Sequence, residues 1–365
     1  MNANLASKPA ARPRAIVQAL AIAGVATHLG LTGMVPALAL PPALPTGLQV
    51  GNGQATAVVN GNRMTVTNSA NAVLNWQNFS VGAGNAVRFD QPDAASRVLN
   101  RVVGTDPSQI FGNISSNGAV WLVNPYGVLF GRDARVDVGS LVVSTLGVPV
   151  SDFAAGRAAL SLTAVSGAGA APLVNQGELR AASGGRVWLV GESGGVRNEG
   201  LILAPGGQVT LAAGRSVDLV DEQLPNLAVR VSAPGSQVLN LGRIEAGAGR
   251  VDLMAAIVNQ DGIVRADALG AGQGGSVSLL ATEAVQAGAG SVTSANGGRG
   301  GSGGQVSVDS GSVGTSMLSG EVLATGGVGG VGRGGTVTLL GQNVALAGTS
   351  PLSIDVPALP LSTLT

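Results

Sequence analysis

From Leu48 onward, apolar and polar residues alternate over short stretches, as in Thr65-Val66-Thr67 and in the run from Val73 to Val81. A period of two places alternate side chains on opposite faces and predicts strands. From about Leu173 the alternation becomes a repeat. Each unit offers an Asn or Ser, a Gly, an aliphatic pair, a Gly-rich turn and then V-x-L or V-x-V. The last element recurs as Val187-Trp188-Leu189, Val209-Thr210-Leu211, Val251-Asp252-Leu253, Val277-Ser278-Leu279, Val306-Ser307-Val308 and Val337-Thr338-Leu339. A glycine stands two before each leading Val, at 185, 207, 249, 275, 304 and 335, in steps of 22, 42, 26, 29 and 31 residues. The step of 42 reads as two units of 21.

Such a period predicts an all-β solenoid of about 12–14 rungs, because blades of a propeller need about 40 residues each. Val and Leu of each triplet would form an inner ladder. The middle residues Trp188, Thr210, Asp252, Ser278, Ser307 and Thr338 would then face solvent. Gly297 to Gly304 and Gly326 to Gly335 read as loops leaving the solenoid. Eight of the nine aromatic residues lie between Trp76 and Phe153, so the N-terminal third has the bulkier core and suits a capping role.

Composition narrows the class. Gly supplies 58 of the 365 residues, aromatics 2% and apolar residues 45%. That aliphatic content argues against disorder, and the lack of a three-residue glycine period excludes collagen. The N-terminus has the form of a secretory signal: Lys8, Arg12 and Arg14, an apolar stretch from Ala15 to Leu31, and the small-x-small site Ala37-Leu38-Ala39. A Pro-rich joint, Pro36 to Pro45, follows. Cleavage after Ala39 would leave 17 arginines against 20 acidic residues, no Lys and no His. That charge is no footprint for nucleic acid. Zinc, copper and haem have almost no ligand candidates, and no cofactor or metal is expected. The absence of Cys means that burial and strand pairing hold the fold together, without disulfides.

Between Asn75 and Thr145 lies an ordered series of motifs. Asn75-Trp76-Gln77-Asn78-Phe79 is followed by Val87-Arg88-Phe89-Asp90-Gln91-Pro92, Val98-Leu99-Asn100-Arg101-Val102 and Ile110-Phe111-Gly112. Ser116 to Gly131 then includes Val123-Asn124-Pro125-Tyr126-Gly127-Val128, and Asp137 to Thr145 closes the block. These residues resemble the secretion domain of two-partner secretion exoproteins, the haemagglutination-activity domain of filamentous haemagglutinin. Within that family they look closest to the high-molecular-weight adhesin and haem–haemopexin-utilisation branch.

The resemblance implies a right-handed parallel β-helix with an N-terminal cap and short extra-helical strands. It also implies a non-enzymatic, secreted or surface-located exoprotein. Such a chain crosses the inner membrane by the general secretory translocase. It then passes through the periplasm to an outer-membrane barrel transporter, whose periplasmic modules bind the secretion domain. The expected organisation is a signal peptide at 1–39, a cap and secretion-motif part at 40–150, further rungs at 151–350 and a tail at 351–365.

Asn124-Pro125-Tyr126-Gly127 is independently a favourable turn, with Asn first, Pro presetting φ second and Gly fourth. It either only turns the chain or also serves transporter recognition, which is the role the resemblance implies for it. Tyr126 replaces the Asn usual in the motif, so a role for that side chain is in doubt. Asn100 is the other secretion-motif residue, with a buried ladder position as its alternative. The secretion-motif set is thus Asn100, Asn124, Pro125 and Gly127.

Gly191-Glu192-Ser193-Gly194-Gly195 matches a nucleophile elbow, but no His remains to serve it, so it reads as a turn. Asp309-Ser310-Gly311 has no second copy to form a carboxylate dyad. For function, an adhesin-like surface interaction with a host receptor stands first. The export module of a toxin or contact-inhibition protein is the alternative. A carbohydrate-active β-helix enzyme is a further one, which would need Asp218, Asp221, Glu222 and Asp252 to converge.

Overall fold

The computed structural model describes residues 44–157, 159–219, 229–231, 235–329 and 332–346, with the backbone of 352–353 and 363–364. The expected signal segment, Asp221, Glu222 and most of the tail lie outside the described residues. Leu40–Thr365 forms one unit. It is a parallel β-helix, nearly all β, with one short helix, Val150–Ala154, among the described residues.

The simplest ladder is a twelve-stranded sheet. Its first strand, Ala55–Asn60, runs antiparallel to Arg63–Asn68. Every later neighbour pairs in parallel, so eleven rungs stack among the described residues. Met64, Val87, Ile114, Val136, Leu179, Ile202, Ile244, Val264, Thr293 and Val322 follow one another in register and are all buried. Parallel stacking at about 4.8 Å per rung aligns like residues, so each β-branched side chain packs on the one before. Gln49–Asn52 pairs antiparallel with Ala72–Trp76 and, with Ala55–Asn60, covers the first rung.

A second ladder carries the V-x-L triplets. Val98, Val120, Leu141, Val187, Val209, Val251, Val277, Val306 and Val337 face inward in register. The glycines two residues earlier stack too. A methyl on Gly207, Gly249, Gly275, Gly304 or Gly335 would lie 1.9–2.0 Å from the carbonyl oxygen of the preceding glycine. The repeating glycine is therefore a close approach between rungs that no side chain can enter.

A third ladder carries polar residues inside the core. Asn175 Nδ2 donates to Asn198 Oδ1 at 2.8 Å, Asn198 Nδ2 to Asn240 Oδ1 at 2.8 Å, and Asn240 Nδ2 to Gln260 Oε1 at 2.7 Å. All four are fully buried. Each amide donates upward and accepts from below, which is why the repeat begins on Asn.

Three expectations are corrected. The 42-residue step is one rung: Gln208 pairs directly with Arg250 and Val209 with Val251. A comparable excursion separates Leu141 from its partner Val187. The excess residues leave the helix. Leu160–Thr163 from the first excursion pairs antiparallel with Ser216–Leu219 from the second, which pairs in turn with Val229–Val231. This removes rungs from the expected count.

The three-stranded sheet and the short helix lie on the outer face of the second ladder, which overturns the solvent-facing assignment of its middle residues. Trp188, Thr210 and Asp252 are buried; Ser278, Ser307 and Thr338, farther along, are half-buried. Leu99, Trp121, Val142, Trp188 and Met254 form a second core there with Leu146, Phe153, Leu162, Val217 and Val229. Trp121 and Phe153 meet edge to face at 5.3 Å.

The Gly-rich inserts leave the helix as expected, but they stack on one another. Gly298 N–H donates to Gly272 O at 2.9 Å, Arg299 N–H to Gly270 O at 2.9 Å, and Gly300 N–H to Val328 O at 3.2 Å. Asp267 accepts from Asn296 N–H at 2.6 Å, and Asn296 Oδ1 from Thr325 N–H at 2.9 Å.

Candidate functional site

The corner at Asn124 follows the strand Ala119–Val123 and precedes Val128–Phe130. Gly127 N–H returns to Asn124 O at 3.1 Å, closing the turn, and Asn124 Oδ1 accepts Tyr126 N–H at 2.9 Å. Asn124 Nδ2 donates to Asp106 O and to Ser108 Oγ, both at 3.0 Å. Its own N–H donates to Ser144 O at 3.0 Å. Asn124 is fully buried, so one side chain ties its corner to the preceding turn at Asp106 and Ser108. Gly127 has φ +108°, and a methyl there would meet Pro172 O at 3.2 Å. The next rung closes over this spot, with Val128 N–H on Pro172 O at 3.2 Å. Pro125 and Tyr126 are half-buried, and they are the part of the motif that reaches the surface.

Asn100 sits elsewhere. It occupies the inward position between Leu74 and Leu122, where later rungs carry Leu or Val. Trp76 Nε1 donates to Asn100 Oδ1 at 2.9 Å, and Asn100 Nδ2 donates to Trp121 O at 3.2 Å. Its amide serves the buried indole, a polar need that an aliphatic residue would leave unmet. The structure therefore does not bring Asn100 into the Asn124 corner.

Gln91 and Asn117 belong to the motif series, but sequence reading assigned them no role. Gln91 N–H donates to Asn117 Oδ1 at 2.9 Å, and Asn117 Nδ2 donates to Gln91 O at 2.8 Å. This reciprocal pair imitates strand pairing across a corner. The motif Ser116-Asn117-Gly118 was the available signal, because Asn is the side chain whose amide best copies a peptide group.

The set-aside motifs are turns. Gly195 N–H bonds Glu192 O at 2.9 Å, and Asp309 Oδ1 accepts Gly311 N–H at 2.8 Å. Among the described residues no three His, Cys, Asp or Glu side chains group as a metal site. Asp252 is fully buried and ion-paired to Arg250 at 2.7 Å, while Asp218 accepts from Ser161 Oγ at 2.7 Å. Asp252 has no surface open to solvent and Asp218 lies in the lateral strand Ser216–Leu219, so the described pair shares no open groove.

A stacked helix with an antiparallel cap, a lateral sheet and a buried Asn brace at its corner defines a class of β-helical domain. Residues 42–256, more than half of the chain, match the family described as the TPS secretion domain, and the chain belongs to that family. It is similar to the HMW1 secretion domain from Haemophilus influenzae, with a TM-score of 0.74 and 28% identity over 84% of this chain and 82% of that one. Two heme/hemopexin-binding proteins of Haemophilus influenzae are similar in sequence. One is 39% identical over 103 residues, 28% of this chain, and the other 36% identical over 84 residues, 23% of this chain. The matched stretches span only 11% and 9% of those relatives' own lengths.

Proposed function

We propose that this chain is exported through a cognate outer-membrane barrel transporter, with the secretion domain recognised by the transporter's periplasmic modules. Family membership is the observation that carries this reading. The signal-like N-terminus supports delivery by the general secretory translocase and a secreted or surface location. In the proposed mechanism Asn124 braces the corner from inside, Gly127 lets the next rung close over it, and Pro125 and Tyr126 offer the contact surface. Asn100 contributes by fixing Trp76.

The test separates bracing from contact. Tagged chains carrying Asn124→Ala, Tyr126→Ala or Asn100→Leu are co-expressed with the transporter, and release into medium is compared with thermal stability of the purified proteins. Tyr126→Ala is expected to lower release without lowering stability, and Asn124→Ala to lower both. Full release of both corner variants would sink the recognition role. Outside the cell, a non-enzymatic, adhesin-like contact is the reading that the motifs' resemblance to the high-molecular-weight adhesin branch supports. The stacked Gly-rich loops, with Leu269 and Val328 exposed at their tips, would supply the surface.

A further inference from the structure

Beside the short helix, the outer face of the second ladder opens into a cleft of about 460 Å³. That volume falls within the range of small-ligand sites, roughly 300–1,000 Å³. Arg97 lies at one end and Arg186 at the other, with Ala119 and Ser140 between them. Arg97 is in register with Ala119, Ala119 with Ser140, and Leu141 with Val187. The two arginines are thus three rungs apart, roughly 14 Å along the helix at the spacing of stacked strands. The small residues between them leave the space open, and Trp121 and Trp188 also line it.

Arg97 is held in a particular way. Its Nε donates to Asn71 Oδ1 at 2.9 Å, and its Nη2 to Phe153 O at 3.1 Å and Arg157 O at 2.9 Å. The guanidinium carbon lies 4.4 Å from the Phe153 ring centroid. Every acceptor is neutral. Among the described residues Arg97 has no carboxylate partner, and its Nη1 makes no hydrogen bond. Burial lowers its basicity from the ordinary arginine value. A half-buried guanidinium without a counter-ion is costly, and a planar oxyanion is the group that best matches its free donors. At the other end the Arg186 guanidinium lies 4.9 Å from the Trp188 ring centroid.

We propose that this cleft binds a sugar-sized organic anion, a monosaccharide unit bearing a carboxylate, with the carboxylate on Arg97 Nη1. Ser140, whose Oγ already accepts Arg186 N–H at 3.1 Å, donates its hydroxyl to a ring hydroxyl, and the buried Trp121 and Trp188 floor the cleft beneath. The proposal is independent of the export reading, since it concerns the folded chain alone.

The experiment titrates the purified full chain with sodium glucuronate and follows tryptophan fluorescence. Glucose and sodium sulfate serve as controls at equal ionic strength. Saturable quenching by glucuronate is expected, with no saturable response to glucose and at least tenfold weaker binding of sulfate. Ala95→Glu places a like charge at the exposed lip of the cleft, away from the core, and is expected to weaken glucuronate binding at least tenfold with an unchanged melting temperature. Arg97→Gln should abolish binding as well. A response to glucuronate no greater than to glucose would overturn the proposal. So would sulfate saturating at the same concentration, which would mean an adventitious ion only, or an Ala95→Glu variant binding as well as wild type.

Discussion

Replacing Gly249 with alanine puts a methyl 2.0 Å from the carbonyl oxygen of Gly207 and 2.8 Å from that of Ala246. An ordinary contact begins near 3.4 Å, so the rungs would have to part by more than an ångström at this point. They are not free to do so. Gly207 O accepts the Arg250 N–H at 2.9 Å, and the next residue, Val251, is fully buried in register with Val209. Relief must stretch a backbone hydrogen bond and displace part of the inner ladder. Overpacking a core costs about 1–3 kcal/mol, and leaving a buried backbone group unsatisfied costs about 1–3 more, so Gly249→Ala should lose about 2–6 kcal/mol. Gly290→Ala is the control: its methyl meets no heavy atom within 4 Å and its φ lies outside the left-handed region. That change should be neutral or stabilise by up to about 1 kcal/mol through the unfolded chain. Urea unfolding of both variants, read by circular dichroism and tryptophan fluorescence, measures the difference. If the two variants agree within about 0.5 kcal/mol, the close-approach argument for the glycine ladder is wrong.

Asn198→Ala should destabilise by about 2–4 kcal/mol in the same assay, because it leaves the Asn175 amide donor and the Asn240 acceptor unmet inside the core. Trp188→Ala should cost about 3–5 kcal/mol by emptying the second core, with faster hydrogen exchange in the lateral sheet as its signature. Asp93 titrates below its ordinary value because the Ser96 hydroxyl, and then the Ser96 N–H, donate to its carboxylate. A depressed carboxyl stabilises the folded state above its unfolded pKa and loses that contribution as pH falls through the folded value. Ser96→Ala should therefore raise the Asp93 pKa toward the ordinary range, as read by carboxyl-carbon NMR titration.

Much of the fold was legible because stacking forces like residues into register. The Val of each triplet, the glycine two before it and the buried Asn all repeat for that reason, and each repeat is visible in the chain. The lateral sheet was not legible. Leu160–Thr163 and Ser216–Leu219 alternate like any strand, and nothing local says that they pair with each other and not within a rung. The long step from Gly207 to Gly249 was the available clue. Divided into two equal units, it concealed an excursion whose strands pack on Trp188 and Met254. The turn at Asn124 was legible from Asn, Pro and Gly, but its buried brace to Asp106 and Ser108 was not, since that contact depends on the register between rungs.

Transporter dependence is the most direct test of the functional account. The tagged full chain is expressed in a Gram-negative host with and without the cognate barrel transporter, and its amounts in medium and periplasm are measured. The account predicts release into medium only with the transporter, and periplasmic retention or degradation without it. Equal release in both strains would contradict it, and would leave the β-helix as a fold without the export route.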